Sequence, residues 1–368
     1  MAKTPRKLLV LSTPVGPLGT GLGGGVELTL FNMAEVLEER GYSLSVLAPE
    51  GSALPRLEIQ TVPGSLQDTA QSQGRQTPIT LPANSVLGAM CEIARQRQSQ
   101  FDAIVNFAYD WLPFYLTPFF EIPVFHFVSM GSLTDAMDEV VVNAVKATPE
   151  RVTFYTRTQA QTFGLNRPDG LYIPSGLDLS LYDFCATPGS ELAWVGRIAP
   201  EKGLEDALAA ISQTGDSMTV WGVMQCPEYW QEICQRYPQA KVTYGGFLPT
   251  EALQRALGQC RGLIMTSKWV EAFGNVAIEA LACGVPVVAY RRGGPAEIVR
   301  HGKTGWLVEP DSVPGLVAAI AKLPEFNRCD CRHQAEVEFS LAAMGDRLEQ
   351  WLATANLATA NLATAKGE

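Results

Sequence analysis

The feature that most constrains this chain is a rhythm that runs twice along it. Short, wholly apolar runs alternate with segments whose apolar residues recur every three or four positions. Apolar runs without polar alternation are how strands read when both faces of a sheet are covered. The longer periodic segments are how the covering helices read. Together they predict an α/β chain built on parallel sheets. In the first half, KLLVLS (7–12), LSVLAP (44–49), AIVNFA (103–108), PVFHFV (123–128) and VTFYT (152–156) read as strands. Between them, VELTLFNMAEVLEERG (26–41) spaces Leu28, Phe31, Ala34 and Leu37 along one helix face, with Gly41 as its stop. NSVLGAMCEIARQRQ (84–98) is a second helix, capped by Asn84 or Ser85. Residues 64–82 are polar and read as a surface loop.

The rhythm restarts at LAWVG (192–196) and continues through MTVWG, KVTYGG, GLIMTS and VPVVAY. The turn-rich PSGLDLSLYDFCATPGSE (174–191) marks the join. A length of 368 residues suits two domains. We expect a first domain over 1–180, a second over 181–345, and a C-terminal helix with a low-complexity tail over 346–368. The tail repeats LATAN, a period that matches neither helix nor strand. The expected fold is two Rossmann-like domains whose parallel sheets face a central cleft. Ligands in such sheets bind at the carboxyl ends of the strands.

Composition removes several classes of function. A net charge of -10 leaves no basic footprint for nucleic acid and does not favour an anionic membrane surface. The start, MAKTPRKLLVLSTP, lacks the apolar stretch of a secretory leader, and no run approaches the ~20 apolar residues of a membrane helix. The expectation is a soluble, cytoplasmic protein without strong membrane association; its oligomeric state stays open. Eight cysteines are scattered, and Cys329 and Cys331 have no second pair to complete a zinc site. Most of them read as small buried hydrophobes, and neither a metal nor a resident cofactor is expected.

Three stretches are suited to chemistry. In WVGRIAPEKGLEDALAAI (194–211) a strand ends at Gly196 and a helix begins near Gly203. Arg197 and Lys202 then sit in a strand-to-helix loop, where two cations beside a helix start suit a phosphate or diphosphate. The other reading is a pair of solvated loop charges. In STPVGPLGTGLGGGVELTL (12–30), glycines at 16, 19, 21, 23, 24 and 25 let backbone N–H groups approach an anion. Gly19-x-Gly21-x-x-Gly24 has the spacing of the dinucleotide fingerprint, but it begins seven residues after the strand. A flexible surface loop is the alternative.

The third stretch is VEAFGNVAIEALACGVPVVAY (270–290). Glu271 and Glu279 flank Gly274-Asn275, which reads as the turn and cap of a helix over 276–282 ended by Gly284. The amides near 274–276 can take an anion, while the carboxylates accept hydrogen bonds from hydroxyls to either side of it. Hydroxyls, then an anion, then hydroxyls is the layout of a nucleotide sugar.

Taken together, these motifs resemble the retaining GT-B glycosyltransferases of the GT4-like group. The resemblance rests on Glu271-x7-Glu279, GRIAPEKG, EALACGVPVVAY followed by GGPAEIV, and HGKTGWLVEPD. GGGVE (23–27) matches the family's N-terminal glycine loop, and YIPSGLDLSLY (172–182) its inter-domain segment. The family implies transfer of a hexose, with UDP as the default nucleotide; glucose is the expected sugar, and so UDP-glucose the expected donor. It implies that Arg197 and Lys202 hold the diphosphate and stabilise the charge that develops as it leaves. Gly24 and Gly25 would add backbone amides. Glu279 would bind the ribose hydroxyls and Glu271 those of the transferred sugar, with Phe273, Gly274 and Asn275 presenting backbone around sugar and phosphate. The chain contains no Asp-x-Asp motif, which fits a metal-independent member in which cations replace the metal. Two departures leave the sugar open: Ala272 stands where many relatives carry Gly or Pro, and Lys268-Trp269 precede the motif. A lone histidine on an apolar strand commonly belongs to a core. By resemblance, however, His126 matches the family's active-site histidine at the end of a strand, orienting the sugar. The family further implies a front-face displacement in which the departing phosphate helps to deprotonate the acceptor.

FAYDWLPFYLTPFFEIPVFHF (107–127) holds nine aromatic residues and leads into His126. Many of these rings belong to a core, but Tyr109, Trp111 or Tyr115 would also serve as a wall for an acceptor. Asp110 would hydrogen-bond an acceptor or cap a helix. SLTDAMDEVVVNAVKA (132–147) is acidic and apolar, unlike the basic amphipathic helices of relatives that act on membrane lipids. The expected partner is therefore a small soluble acceptor, flat and heteroaromatic. The chain is also similar to enzymes that glucosylate reduced pterins such as tetrahydrobiopterin. Rival readings are a GT-B-like sugar-nucleotide epimerase or hydrolase, a transferase acting on a lipid or polysaccharide precursor, and a sugar-nucleotide binder without activity. An NAD-dependent oxidoreductase using Glu50 rests on the glycine loop alone and leaves the second-half motifs unexplained.

Overall fold

The computed structural model describes residues 6–20 and 25–354. Twelve strands form two six-stranded sheets. The first contains β1 (Lys7–Leu11), β2 (Ser43–Pro49), β3 (Ile59–Val62), β4 (Ala103–Asn106), β5 (Val124–Val128) and β6 (Val152–Phe154). The second contains β7 (Leu192–Val195), β8 (Ser217–Trp221), β9 (Lys241–Gly246), β10 (Gly262–Met265), β11 (Val287–Tyr290) and β12 (Gly305–Val308). Every neighbouring pair is parallel. The spatial orders are β3-β2-β1-β4-β5-β6 and β12-β11-β10-β7-β8-β9. Counted from its own first strand, the second sheet repeats the order of the first, which is that of dinucleotide-binding folds. In each, chain direction across the sheet reverses between the first and fourth strands. Side chains at the carboxyl ends of β1 and β4, and of β7 and β10, therefore flank a crevice.

The chain divides into two units. One runs to Gly176 and resumes at Leu341, and the other is Leu177–Ser340. In the first, strand alternation sorts the apolar residues onto two faces. Leu9, Leu11, Leu47, Ile104 and Val124 pack against helix Val86–Arg97. That helix starts at Ser85, whose hydroxyl accepts from the Gly88 amide. Phe125 and Phe127 point the other way and meet Trp351 of helix Leu341–Ala353 edge-on, at 5.1 and 6.2 Å between ring centres. That returning helix packs along helix Gly25–Glu39. Arg40, just past the latter, pairs with Asp346 and Glu349, each at 2.8 Å.

In the second unit, Leu192, Trp194, Val220, Ile264 and Val288 form one core with helices Leu204–Thr214 and Val313–Ala321. β9 is the exposed edge strand. Among the described residues no helix is long and apolar enough to cross a membrane. The repeat expected at the C-terminus lies, from Ala355 onward, outside the described residues.

Candidate active site

The strongest convergence of charged side chains falls at the switch point of the second sheet. The chain leaves β7 at Val195 and makes a single 3-10 turn, Pro200–Lys202, before helix Leu204–Thr214. Gly203 joins turn to helix at φ 64°, and a Cβ there would meet the Thr266 carbonyl at 2.1 Å. Both facts demand glycine. They also press the Lys202 loop against the segment that follows β10.

That segment carries the first glutamate. Lys202 Nζ lies 2.5 Å from Glu271 Oε1, and the Ser267 hydroxyl donates to the same oxygen at 2.6 Å. The two ionic side chains retain only 16% and 14% exposure, so this pair is largely withdrawn from water. Burial alone would raise the Glu271 pKa. The neighbouring ammonium, with the hydrogen bonds from Lys202 and Ser267, outweighs it and holds the carboxyl below its ordinary value. Arg197 pairs with Glu201 at 3.1 Å and also donates to Gln225. Both cations lie over the indole of Trp269, Lys202 Nζ at 4.8 Å and the Arg197 guanidinium carbon at 6.0 Å from its ring centre.

Neighbouring residues fix the loop's shape. Lys268 reaches Asp206 at 2.6 Å, with Asp311 at 3.6 Å and Glu205 at 3.7 Å, and Tyr290 donates to Asp206 at 2.7 Å. The Lys268 amide donates to the Glu201 carbonyl at 2.9 Å. Arg292 donates to the Ser267 carbonyl at 2.9 Å and pairs with Asp311 at 2.7 Å. The Gly294 amide donates to the Glu271 carbonyl at 2.8 Å.

Helix Asn275–Ala282 follows, entered through Gly274 at φ 98°. The start is one residue before the expected one, with Gly274 in the cap position. Phe273 is buried, edge-on to Phe339 at 6.1 Å, so its side chain serves the core and only its backbone is placed to serve a ligand. Glu279 lies one turn into the helix, half-buried, and desolvation pushes its carboxyl up to about 7. The loop pair thus holds two cations and one ionised carboxylate, and a carboxylate poised near neutrality stands one turn into the helix that follows.

The first unit brings its expected residues together less openly. Gly25 begins helix Gly25–Glu39, while Gly24 lies outside the described residues. The Gly19 amide donates to the Glu27 carboxylate at 3.0 Å, which ties the glycine loop back onto the helix.

His126 is not at the end of its strand. It occupies the middle of β5, is 1% exposed, and shares the face of Val124. Asn106 Nδ2 lies 3.2 Å from its Nδ1, Thr117 Oγ1 lies 2.8 Å from its Nε2, and Phe114 stacks on the ring at 4.1 Å. Asn106 uses its carbonyl oxygen for the Ala108 amide, so its NH₂ donates to Nδ1 and the histidine proton sits on Nε2. Burial pushes this imidazole down to about 3, so it is neutral. The residues that do follow β5 are Ser129, Met130 and Gly131.

Tyr109 donates to the Gly131 carbonyl at 2.8 Å. Asp110 caps the short helix Trp111–Leu116 through the Leu112 amide at 3.1 Å and accepts from Gln67 at 2.8 Å. The cap alternative is therefore realised at Asp110. Trp111 stacks on Tyr115 at 4.4 Å. Sequence reasoning missed Ser267, Asp206, Tyr290, Arg292 and Gln67. Trp269 and Lys268 gave a signal, as departures from the family pattern.

Two parallel six-stranded units of this order define the GT-B class of α/β fold. Anabaena HepE in complex with UDP and glucose has it, at a TM-score of 0.75 and 18% identity, covering 95% of this chain and 100% of that one. So does sucrose-phosphate synthase of Thermosynechococcus elongatus, at 0.76 and 19%, covering 96% and 100%. More particularly, residues 189–335, which lie within the second unit, match the Glycosyl transferases group 1 family. Glycogen synthase of Mycobacterium tuberculosis is 31% identical over 44% of this chain, and the match spans 41% of that relative's length. D-inositol 3-phosphate glycosyltransferase of Rhodococcus erythropolis is 25% identical over 93% of this chain and 90% of its own length.

Proposed function

We propose that this protein is a retaining, metal-independent glycosyltransferase that moves glucose from UDP-glucose to a small soluble acceptor. The observation that carries the reading is the convergence of Arg197, Lys202 and Glu271 at the switch point of the second sheet, around one indole. A diphosphate needs fixed cations, and a sugar needs fixed acceptors for its hydroxyls. This site supplies both within one loop pair. The second-unit family match and the UDP and glucose in the HepE complex support the same donor class.

In this reading the second unit binds the donor and the first unit the acceptor. Lys202 and Arg197 take the diphosphate oxygens and carry the negative charge that develops as the bond to the anomeric carbon breaks. Glu271 accepts from hydroxyls of the transferred sugar, and Glu279 from those of the ribose. The acceptor oxygen attacks from the face the phosphate leaves, its proton passing to that phosphate. His126 frames the loop that carries Tyr109 and Trp111, through Asn106 and Thr117. Tyr115 stacks on Trp111 with one face and is half exposed, which leaves an outer ring face for a flat heteroaromatic acceptor, and a reduced pterin such as tetrahydrobiopterin is our first candidate.

The test is release of UDP from UDP-glucose across an acceptor panel, with the product identified. Arg197→Ala and Lys202→Ala are each expected to cut turnover about 100-fold or more, the scale for loss of one preorganised contact to developing charge. Near-wild-type rates in both remove the diphosphate assignment. Free glucose or a 2-epimer as sole product means hydrolysis or epimerisation instead.

A further inference from the structure

We infer that Trp269 is a positioning residue that holds Arg197 and Lys202 in register with each other. The inference rests on the donor reading above and goes beyond the motif, because Trp269 lies where this chain departs from the family pattern. Arg197 and Lys202 are five positions apart, on either side of a 3-10 turn. Each has its own ionic partner, Arg197 in Glu201 and Lys202 in Glu271. What the two share is the indole: the ammonium lies 4.8 Å and the guanidinium 6.0 Å from the same ring centre. An aromatic face attracts a cation more strongly as water is excluded, and Lys202 is only 16% exposed.

The ring can do this because its backbone cannot swing. Lys268 before it is held by Asp206 at 2.6 Å, and Glu271 after it by Lys202 at 2.5 Å. Ser267 is held at its carbonyl by Arg292.

The indole N–H separates two ways in which the ring could act. It is buried and turned toward Glu271, whose carboxyl it helps to hold below its ordinary value. Both cations instead meet the ring face, and that face survives in phenylalanine.

The experiment measures UDP and inorganic pyrophosphate binding by calorimetry, and steady-state turnover with UDP-glucose, on the full chain. Trp269→Phe keeps a ring, Trp269→Leu removes it, and Trp269→Met removes it while keeping bulk should the leucine variant fold poorly. We expect the Leu and Met variants to bind UDP about tenfold more weakly, and Trp269→Phe to stay within about threefold of wild type, on the scale of cation–π attraction to two cations. The weakened binding should lose part of its salt dependence, whereas a ring that merely fills space would leave that dependence unchanged. Equal UDP affinity in wild type and the Leu or Met variant overturns the proposal while leaving the donor reading intact. So does a Phe variant as weak as Leu, which would return the role to the N–H. Failure of the wild type to bind either probe overturns the donor reading and this inference with it.

Discussion

Glu279 gives the most quantitative handle on the site. Its carboxyl moves from an ordinary 4.5 to about 7 because the folded chain withdraws it from water. Below about pH 4.5 the group is protonated in both folded and unfolded chains and costs nothing. As pH rises from 4.5 to 7, the unfolded chain gives up the proton while the folded one keeps it, so stability falls. Above pH 7 the whole difference is present. At ~1.4 kcal/mol per pH unit this comes to about 3 kcal/mol, and nearer 2 after allowing for the solvent that still reaches the side chain. Glu279→Gln keeps the shape and removes the titration. Urea unfolding of wild type and variant at pH 5 and pH 8, following the transition of the second unit, should show the variant gaining about 1–2 kcal/mol on wild type between the two conditions, because part of the difference is already present at pH 5. Parallel stability curves would refute the argument, because the carboxyl would then titrate as it does in water. The same titration has a functional face. Ribose hydroxyls donate best to the ionised carboxylate, so UDP affinity should rise more steeply as pH climbs through 7 in wild type than in the variant, where only the terminal phosphate, whose second pKa is about 6, still titrates.

Two further perturbations separate roles. In Glu271→Gln the Lys202 ammonium loses its counter-charge, so calorimetry should show UDP bound as tightly as in wild type or more so, while turnover falls at least ~10-fold for want of the carboxylate; weaker UDP binding would contradict the pairing. His126 keeps a neutral ring down to about pH 3, so its NMR ring signals should not shift between pH 5 and 8, and its contribution to stability should drain away as pH falls from about 6.5 toward 3; a titration near 6.5 would place the ring in solvent.

The two-unit α/β architecture was legible because strands buried on both faces have no polar alternation, as LLVL in β1 and VVAY in β11 illustrate. β3 and β12 were not. Ile59–Val62 is a short, half-exposed edge strand, and Gly305–Val308 lies within a stretch that reads as a motif instead of an element. Arg197, Lys202, Glu271 and Glu279 stood out by motif, and the structure places all four in one unit. Their wiring did not, because the Lys202–Glu271 pair spans 69 positions. Lys268 likewise finds carboxylates from the first turn of helix Leu204–Thr214 and from Asp311. His126 shows the limit of strand patterning. Its place in PVFHFV marks it as a strand residue, yet which side of the sheet it takes depends on parity with Val124, and only Asn106, Phe114 and Thr117 around it show that both its nitrogens are spoken for.

The interrupted first unit has a consequence for how the protein is made. Its sheet is laid down from Lys7 to Phe154, but Trp351, which lies against Phe125 and Phe127, emerges only after the whole of Leu177–Ser340 has been translated. At ribosomal speeds of about 5–20 residues per second, the early sheet waits roughly ten seconds or more for that side chain. During synthesis the second unit thus has all its described parts before the first does, and helix Leu341–Ala353 completes a unit whose sheet was laid down before the second unit began.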